Sequence, residues 1–179
     1  MDIRFYWEQY NSNRPHEVSE ATFRSLCLLY PVVYVLTADG KLDLVERHFL
    51  KQMEKSSDSG NDLLHLEVLH IAQNRDAYRP LFVDALHDLL QKGDIKADTI
   101  FHSMLLAARC SYNDWKNNAI YAQYPAWAEV PVKLLAVFLQ ASEEKSSLSE
   151  AEKQAIVEMM EALTGDATPY AQEIEAADL

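Results

Sequence analysis

The chain has 179 residues, of which 49% are hydrophobic, and its 28 acidic and 16 basic residues give a formal net charge of −12. This acidic balance argues against nucleic acid or anionic membrane surfaces as ligands, and it is compatible with basic protein partners or divalent cations. No run of about 18 apolar residues occurs and the first residues do not resemble a secretory signal, so we expect a soluble, cytoplasmic protein without membrane insertion.

The first predicted segment is an aromatic N-terminal arm, residues 1–18, which we expect to pack against its own domain rather than to bind a partner. Its aromatic side chains are Phe5, Tyr6, Trp7 and Tyr10. Ser19 is the predicted N-cap of a helix that runs to about Thr37. This helix is apolar nearly all round from residue 26 to residue 36, which indicates a central, buried position. Pro31 predicts a kink or a break within it, because proline lacks the amide hydrogen.

A tight helix–turn–helix corner follows at residues 35–46. Gly40 tolerates the positive φ angle that ends a helix. Asp43 and Glu46 have the spacing of a capping box, which starts the next helix by satisfying its first amide groups. Together with Asp39 they crowd three carboxylates into one corner. Because carboxylate oxygens are ligands of divalent cations, Asp39, Asp43 and Glu46 are the candidate metal-binding residues.

The corner does not match a calcium-binding EF-hand loop. If Glu46 is aligned with the last ligand position of such a loop, Asp39 and Asp43 also fall on ligand positions. Val35 and Thr37 then fall on the first two ligand positions, and the side chain of Val35 has no ligand atom. Half of the coordination shell is therefore missing, so a metal at this corner is expected to bind weakly.

The centre of the corner is the string Leu36-Thr37-Ala38-Asp39-Gly40-Lys41-Leu42, followed by Glu46. This string resembles the TerB-like family of tellurite-resistance proteins, whose first helical repeat carries an A-D-G-x-(hydrophobic)-x-x-x-E signature. The resemblance implies an all-helical fold with two related corners. It also implies involvement in bacterial tellurite or stress resistance, although such domains occur as general accessory modules as well.

A second corner repeats part of the pattern 106 residues later, with Leu148 in the place of Leu42. It contains the string Leu148-Ser149-Glu150-Ala151-Glu152, in which Ser149 and Glu152 have the capping-box spacing. This copy departs from the family pattern, because residues 142–147 replace the Asp-Gly-Lys turn of the first corner. Its loop is three residues longer and lacks the Asp-Gly pair.

Several helices are predicted between the two corners. The first has one apolar face, made of Leu42, Val45, Phe49, Leu50 and Met53. A loop at residues 56–61 separates it from a helix that Asp62 caps and that extends to about Arg75. The next helix has Pro80 near its first turn and ends at Gly93. Its apolar stripe is Leu81, Phe82, Ala85, Leu86, Leu89 and Leu90.

A further helix is predicted from about Asp98 to Cys110, with Ile100, Phe101, Met104, Leu105 and Ala108 facing inward. Both cysteines, Cys27 and Cys110, lie in apolar helical contexts and are predicted to be buried, reduced thiols. After this helix, a short helix and a loop are predicted up to Pro131. This segment is rich in aromatic side chains, which we expect to wedge helices together: Tyr112, Trp115, Tyr121, Tyr124 and Trp127.

The C-terminal part begins with the helix of the second repeat, which Pro131 opens, and continues with a long helix that Ser149 and Glu152 cap and Gly165 ends. Residues 166–179 are predicted to be a loosely ordered acidic tail, apart from a short helix around residues 170–176. From Glu143 onward the chain has ten acidic residues and two lysines, a net charge of −8. A basic protein surface could recognise this end of the chain.

An alternative constellation consists of Glu67 with His70 and Asp84 with His87. Each pair places a carboxylate and an imidazole one helical turn apart, as in di-iron carboxylate bundles. Such bundles need a further inward carboxylate on each of two other helices, and the sequence offers no convincing set. The chain also lacks GxSxG, HExxH, CxxC and glycine-rich phosphate loops, so we do not expect an enzyme.

These patterns predict an all-α, single-domain bundle of about seven or eight helices, built from two pseudo-symmetric helix–turn–helix repeats. The helical domain spans residues 19–165, with corners near residues 36–53 and 139–159. The predicted function is that of a non-enzymatic, TerB-like interaction module with a protein partner and a candidate weak site for a divalent metal. A helical-bundle metalloenzyme and a structural helical protein without a site are the alternatives.

Overall fold

The computed structural model describes residues 2–12, 14–38, 62–109 and 148–177. Over these ranges the chain forms seven helices and no strand, which confirms the all-α prediction. The helices are α1 (Ile3–Ser12), α2 (Glu20–Leu36), α3 (Asp62–Gln73), α4 (Arg75–Gln91), α5 (Ala97–Arg109), α6 (Glu150–Thr164) and α7 (Thr168–Ala177). None of these helices combines the length and the apolar character that crossing a membrane requires. Residues 39–61, with the turn of the first corner and the helix after it, lie outside the described residues. So do residues 110–147, with Cys110, the aromatic segment and the whole helix that Pro131 opens, and the internal repeat therefore stays a prediction.

Helix α2 lies at the centre of the bundle, where it packs against α3, α4, α5 and α6. The Oγ of Ser19 accepts a hydrogen bond of 3.1 Å from the amide of Thr22, which confirms the predicted N-cap. From Leu26 to Val35 every side chain is buried, as its apolar sequence predicts. The helix continues through Pro31, so no break occurs there, and the kink stays a prediction. Proline removes one backbone hydrogen bond, and burial of the residues on both sides holds the helix together.

The boundary between α3 and α4 differs from the prediction. The turn lies at Asn74 and α4 begins at Arg75, so Pro80 lies within the helix rather than near its start. The amide that proline lacks would bond to the carbonyl of Asp76, in the first turn of the helix, where water can satisfy the acceptor. The predicted stripe is correct, and Phe82, Ala85, Leu86 and Leu89 are buried. Gly93 follows the helix with a φ angle of +75°.

The predicted ends of α6 are confirmed by local hydrogen bonds. The Oγ of Ser149 accepts a hydrogen bond of 3.2 Å from the amide of Glu152, and Oε2 of Glu152 accepts one of 2.9 Å from the amide of Ser149. This reciprocal pair is a capping box. Gly165 ends the helix in the left-handed conformation, with a φ angle of +76°. The inward residues predicted for α5 are also buried, namely Ile100, Phe101, Met104, Leu105 and Ala108.

The two terminal segments are helices that pack on the domain. The aromatic arm contains α1, whose residue Tyr10 is fully buried. The C-terminal segment contains α7, which confirms the short helix predicted around residues 170–176 and extends it by two residues at its start and one at its end. Ile174 of α7 is buried, and the ring of Tyr170 lies 4.9 Å from that of Phe101 on α5. Burial of these apolar side chains holds α7 in place, although its exposed face is acidic.

Candidate functional site

The predicted metal-binding residues, Asp39, Asp43 and Glu46, lie outside the described residues. The structure describes the chain up to Ala38, at the C-terminal end of α2. There the hydroxyl of Thr37 donates a hydrogen bond of 2.7 Å to the carbonyl of Val33. This hydroxyl is therefore engaged by the preceding helical turn, as is common for threonine at a helix end.

A guanidinium group stands beside this end of α2. Nη1 of Arg75 lies 3.3 Å from the carbonyl of Tyr34 and 3.4 Å from Oγ1 of Thr37. A cation is stabilised at a helix C-terminus, where the last carbonyl groups carry a partial negative charge. The helix that leads into the predicted corner thus ends against a positive charge, which opposes a divalent cation bound nearby.

Tyr34 joins three helices around this point. The guanidinium carbons of Arg75 and Arg79 lie 5.2 Å and 5.4 Å from the centre of its ring, within the range of cation–π attraction. Its hydroxyl donates a hydrogen bond of 3.2 Å to Oε2 of Glu158 on α6. Nη2 of Arg79 also donates to the carbonyl of Glu158, at 3.4 Å. These contacts tie the end of α2 to α4 and α6.

The alternative metal-binding residues do not come together. Glu67 is 2% exposed on α3, where its carboxylate accepts hydrogen bonds from Arg14 and from the hydroxyl of Tyr10. Asp84 and His87 are exposed on α4, and Nδ1 of His87 is 3.2 Å from the amide nitrogen of Gln91. Among the residues that the structure describes, no group of three or more His, Cys, Asp or Glu side chains is placed to hold a metal ion. The carboxylate–histidine centre is therefore not formed by these four side chains.

The hydrogen bonds around Glu67 form a buried polar network that fixes α1. Nε and Nη2 of Arg14 donate to the two carboxylate oxygens at 3.0 Å and 2.7 Å, the two-point geometry of a strong ion pair. The hydroxyl of Tyr10 adds a third hydrogen bond, of 2.5 Å. Burial, with smaller contributions from the hydrogen bond and the charge of Glu67, raises the pKa of Tyr10 well above its ordinary value. A neutral tyrosine donor and an ionised carboxylate acceptor match these bonds.

His70 belongs to the same region but makes a separate contact. Its Nε2 lies 2.9 Å from the hydroxyl of Tyr78. Burial, followed by the positive charge of Arg14, lowers the pKa of His70, so the neutral imidazole is favoured. Spacing along the sequence pairs His70 with Glu67, which lies one turn away, and gives no indication of Tyr10 and Arg14. No local signal connects these two residues to Glu67, which follows more than 50 positions later.

Exposed acidic side chains are concentrated on α6, on α7 and in the turn between them. Residues 148–177 contain seven acidic residues and one lysine. Five of the acidic side chains are exposed, namely Glu150, Glu161, Asp166, Glu173 and Glu175. Lys153 is 2.9 Å from the carboxylate of Glu150, and Nε2 of His102 is 3.1 Å from that of Glu173. We call this surface the acidic face.

We compared the chain with protein-family models, with curated proteins and with solved structures, and none of them matches it. The resemblance to the TerB-like family therefore rests on the residues of the two corners alone.

Proposed function

We propose that the chain is a non-enzymatic, TerB-like helical interaction module that binds a basic protein surface through its acidic face. The observation that carries this proposal is the concentration of exposed carboxylates on two helices that pack firmly on the domain. Because α7 is held by Ile174 and Tyr170, the backbone that carries its carboxylates has a defined position on the domain. A partner can then recognise their arrangement as well as their net charge.

The charges of the acidic face are compensated only in part by neighbouring groups. Lys153 and His102 each contact one carboxylate, and both contacts are exposed ion pairs that contribute little to stability. The remaining carboxylates leave this surface with a net negative charge. A basic partner is attracted to it over a distance of about 8–10 Å at physiological ionic strength. In bacteria, the family resemblance suggests a role of such binding in tellurite or stress resistance.

The first prediction concerns the salt dependence of partner binding. A partner isolated by affinity capture should bind more weakly in 500 mM than in 50 mM salt, because salt screens exposed charges. The double variant Glu161→Lys and Glu173→Lys should lower the association rate about ten-fold or more at low salt, measured by surface plasmon resonance. A matched variant, Glu8→Lys with Glu17→Lys, makes the same change in net charge on exposed residues elsewhere and should have a much smaller effect.

A different result would favour another binding surface. Affinity that is unchanged between low and high salt, but lost on Trp127→Ala, would show that the aromatic segment makes a dry contact with the partner. The acidic face would then not be the binding site.

The second prediction concerns the proposed metal site at Asp39, Asp43 and Glu46. Calorimetric titration with Ca²⁺ or Mg²⁺ should give a dissociation constant of about 1 mM, at the weak end for oxygen-ligand sites. The incomplete EF-hand pattern and the guanidinium of Arg75 at the end of α2 both disfavour tight binding. Asp39→Asn with Asp43→Asn should abolish the binding, whereas Asp84→Asn, on the exposed surface of α4, should not. Submicromolar Ca²⁺ binding would instead indicate a calcium sensor.

A further inference from the structure

A cavity of about 310 Å³ opens between the middle of α2 and the start of α5. Residues 93–96, in the loop that joins α4 to α5, form its rim. Small-molecule sites in proteins are clefts of about 300–1,000 Å³ with mostly apolar walls and a few polar groups. The size of this cavity lies at the lower end of that range.

The walls of the cavity are apolar on both sides. Leu28, Pro31 and Val32 line it from α2, and their spacing places them on one stripe of that helix. Ile95 and Ile100 line it from the opposite side. All five residues are buried. Such walls stabilise an aliphatic or aromatic group by removing its surface from water.

One polar side chain inside the cavity is suited to bind a ligand. Thr99 is only 8% exposed and lines the cavity, yet its hydroxyl forms no hydrogen bond with any residue in the described part of the chain. Because Thr99 lines the cavity, a ligand group there can donate to its hydroxyl or accept from it, and the apolar surroundings strengthen that hydrogen bond. Next to the cavity, Pro31 has no amide hydrogen, which deprives the carbonyl of Cys27 of its usual helical donor.

The charges at the rim balance each other. Asp94 and Lys96 are both exposed and both line the cavity, so the rim has no net formal charge. A ligand with a charged head would gain attraction from one of these groups and repulsion from the other. It would also lose hydration on entering an apolar cavity. A neutral head avoids that loss and can still form a hydrogen bond with Thr99.

We propose that this cavity binds a small neutral amphiphile, with an apolar body between the α2 stripe and the two isoleucines and a hydroxyl or amide head on Thr99. This site lies on α2, α5 and their connecting loop rather than on the acidic face, so it is separate from the proposed binding of a protein partner.

The test compares three probes that share one alkyl chain and differ in the charge of the head, namely 1-octanol, octanoate and octylamine. In titrations of the full chain followed by ¹H–¹⁵N NMR, 1-octanol should bind saturably and shift the amide signals of the residues that line the cavity. Octanoate and octylamine should bind at least about five-fold more weakly, because each charged head must be desolvated. The absence of saturable 1-octanol binding, or tighter binding of either charged probe, would overturn the proposal.

Variants then locate the probe. Thr99→Val removes the hydroxyl at nearly constant volume and should weaken 1-octanol binding about five-fold, whereas Thr99→Ser retains the hydroxyl and the affinity. Ile95→Phe should fill the cavity and abolish binding. Thr168→Val makes the same chemical change as Thr99→Val on exposed α7 and should have no effect. Circular dichroism confirms that each variant is folded. Binding that is unaffected by both Thr99→Val and Ile95→Phe would place the probe elsewhere and refute the site.

Discussion

Replacing Glu67 by alanine should lower the free energy of unfolding by about 3–5 kcal/mol, because it leaves a charged and a polar group without their partner. The side chain of Arg14 is 11% exposed and would lose both of its hydrogen bonds to the carboxylate. The fully buried Tyr10 would lose the acceptor of its hydroxyl. Urea denaturation followed by circular dichroism measures this loss. The loss should be accompanied by release of α1, which protease digestion near the N-terminus would detect.

A combined variant separates two contributions to the free energy of unfolding. One is the penalty of leaving Arg14 and Tyr10 without a partner, and the other is the net contribution of the intact network. Tyr10→Phe, Arg14→Met and Glu67→Leu together replace every polar partner by an apolar group of similar size, so most of the lost stability should return. Glu17→Ala, on an exposed loop residue, should change stability by less than about 0.5 kcal/mol. If Glu67→Ala lowers the free energy of unfolding as little as this control does, the network does not hold α1.

Phe82→Ala should also lower the free energy of unfolding by about 3–5 kcal/mol, because it opens a cavity at the centre of an aromatic cluster. Phe82 is fully buried on α4. The centre of its ring lies 4.7 Å from that of Tyr30, 5.7 Å from that of Phe23 and 5.8 Å from that of Tyr10. The cluster thus joins α1, α2 and α4 through one side chain. Truncation removes the contacts of α4 with both of the other helices at once.

The chain provides a matched control for this substitution. Phe5 is 49% exposed on α1, so Phe5→Ala removes the same atoms where little burial is lost and should cost less than about 1 kcal/mol. Phe82→Leu should lie between the two variants, since leucine fills part of the space. Equal effects of Phe5→Ala and Phe82→Ala in urea denaturation would contradict the central position of the cluster.

The substitutions at Glu67 and Phe82 both weaken the attachment of α1 to the rest of the domain. Tyr10 takes part in both the polar network and the aromatic cluster, so the N-terminal helix is fixed by a hydrogen bond at one end of this side chain and by ring contacts along its face. Neither contact involves α6 or α7. Variants at Glu67 that remain folded should therefore leave the charge of the acidic face intact, and they can be compared with the charge variants in the same binding assay.

The sequence by itself determined the features that depend on residues within a few positions of one another. Ser19 and the pair Ser149 and Glu152 start their helices by hydrogen bonds to neighbouring amides, and Gly165 ends α6 by adopting a positive φ angle. The apolar stripes of α4 and α5 follow from helical periodicity alone. The excess of acidic residues at the C-terminal end, on which the proposed function rests, is likewise a property of composition.

Only the tertiary structure decided the features that depend on distant residues. α4 starts at Arg75, whose backbone carbonyl accepts a hydrogen bond of 2.7 Å from the hydroxyl of Tyr30 on α2. α7 is held on the domain because the ring of Tyr170 packs against that of Phe101 on α5. The partner of Glu67 is Arg14 rather than the nearby His70, because packing of α1 brings the guanidinium to the carboxylate. Periodicity and spacing describe one helix at a time, whereas these contacts arise from how separate helices pack.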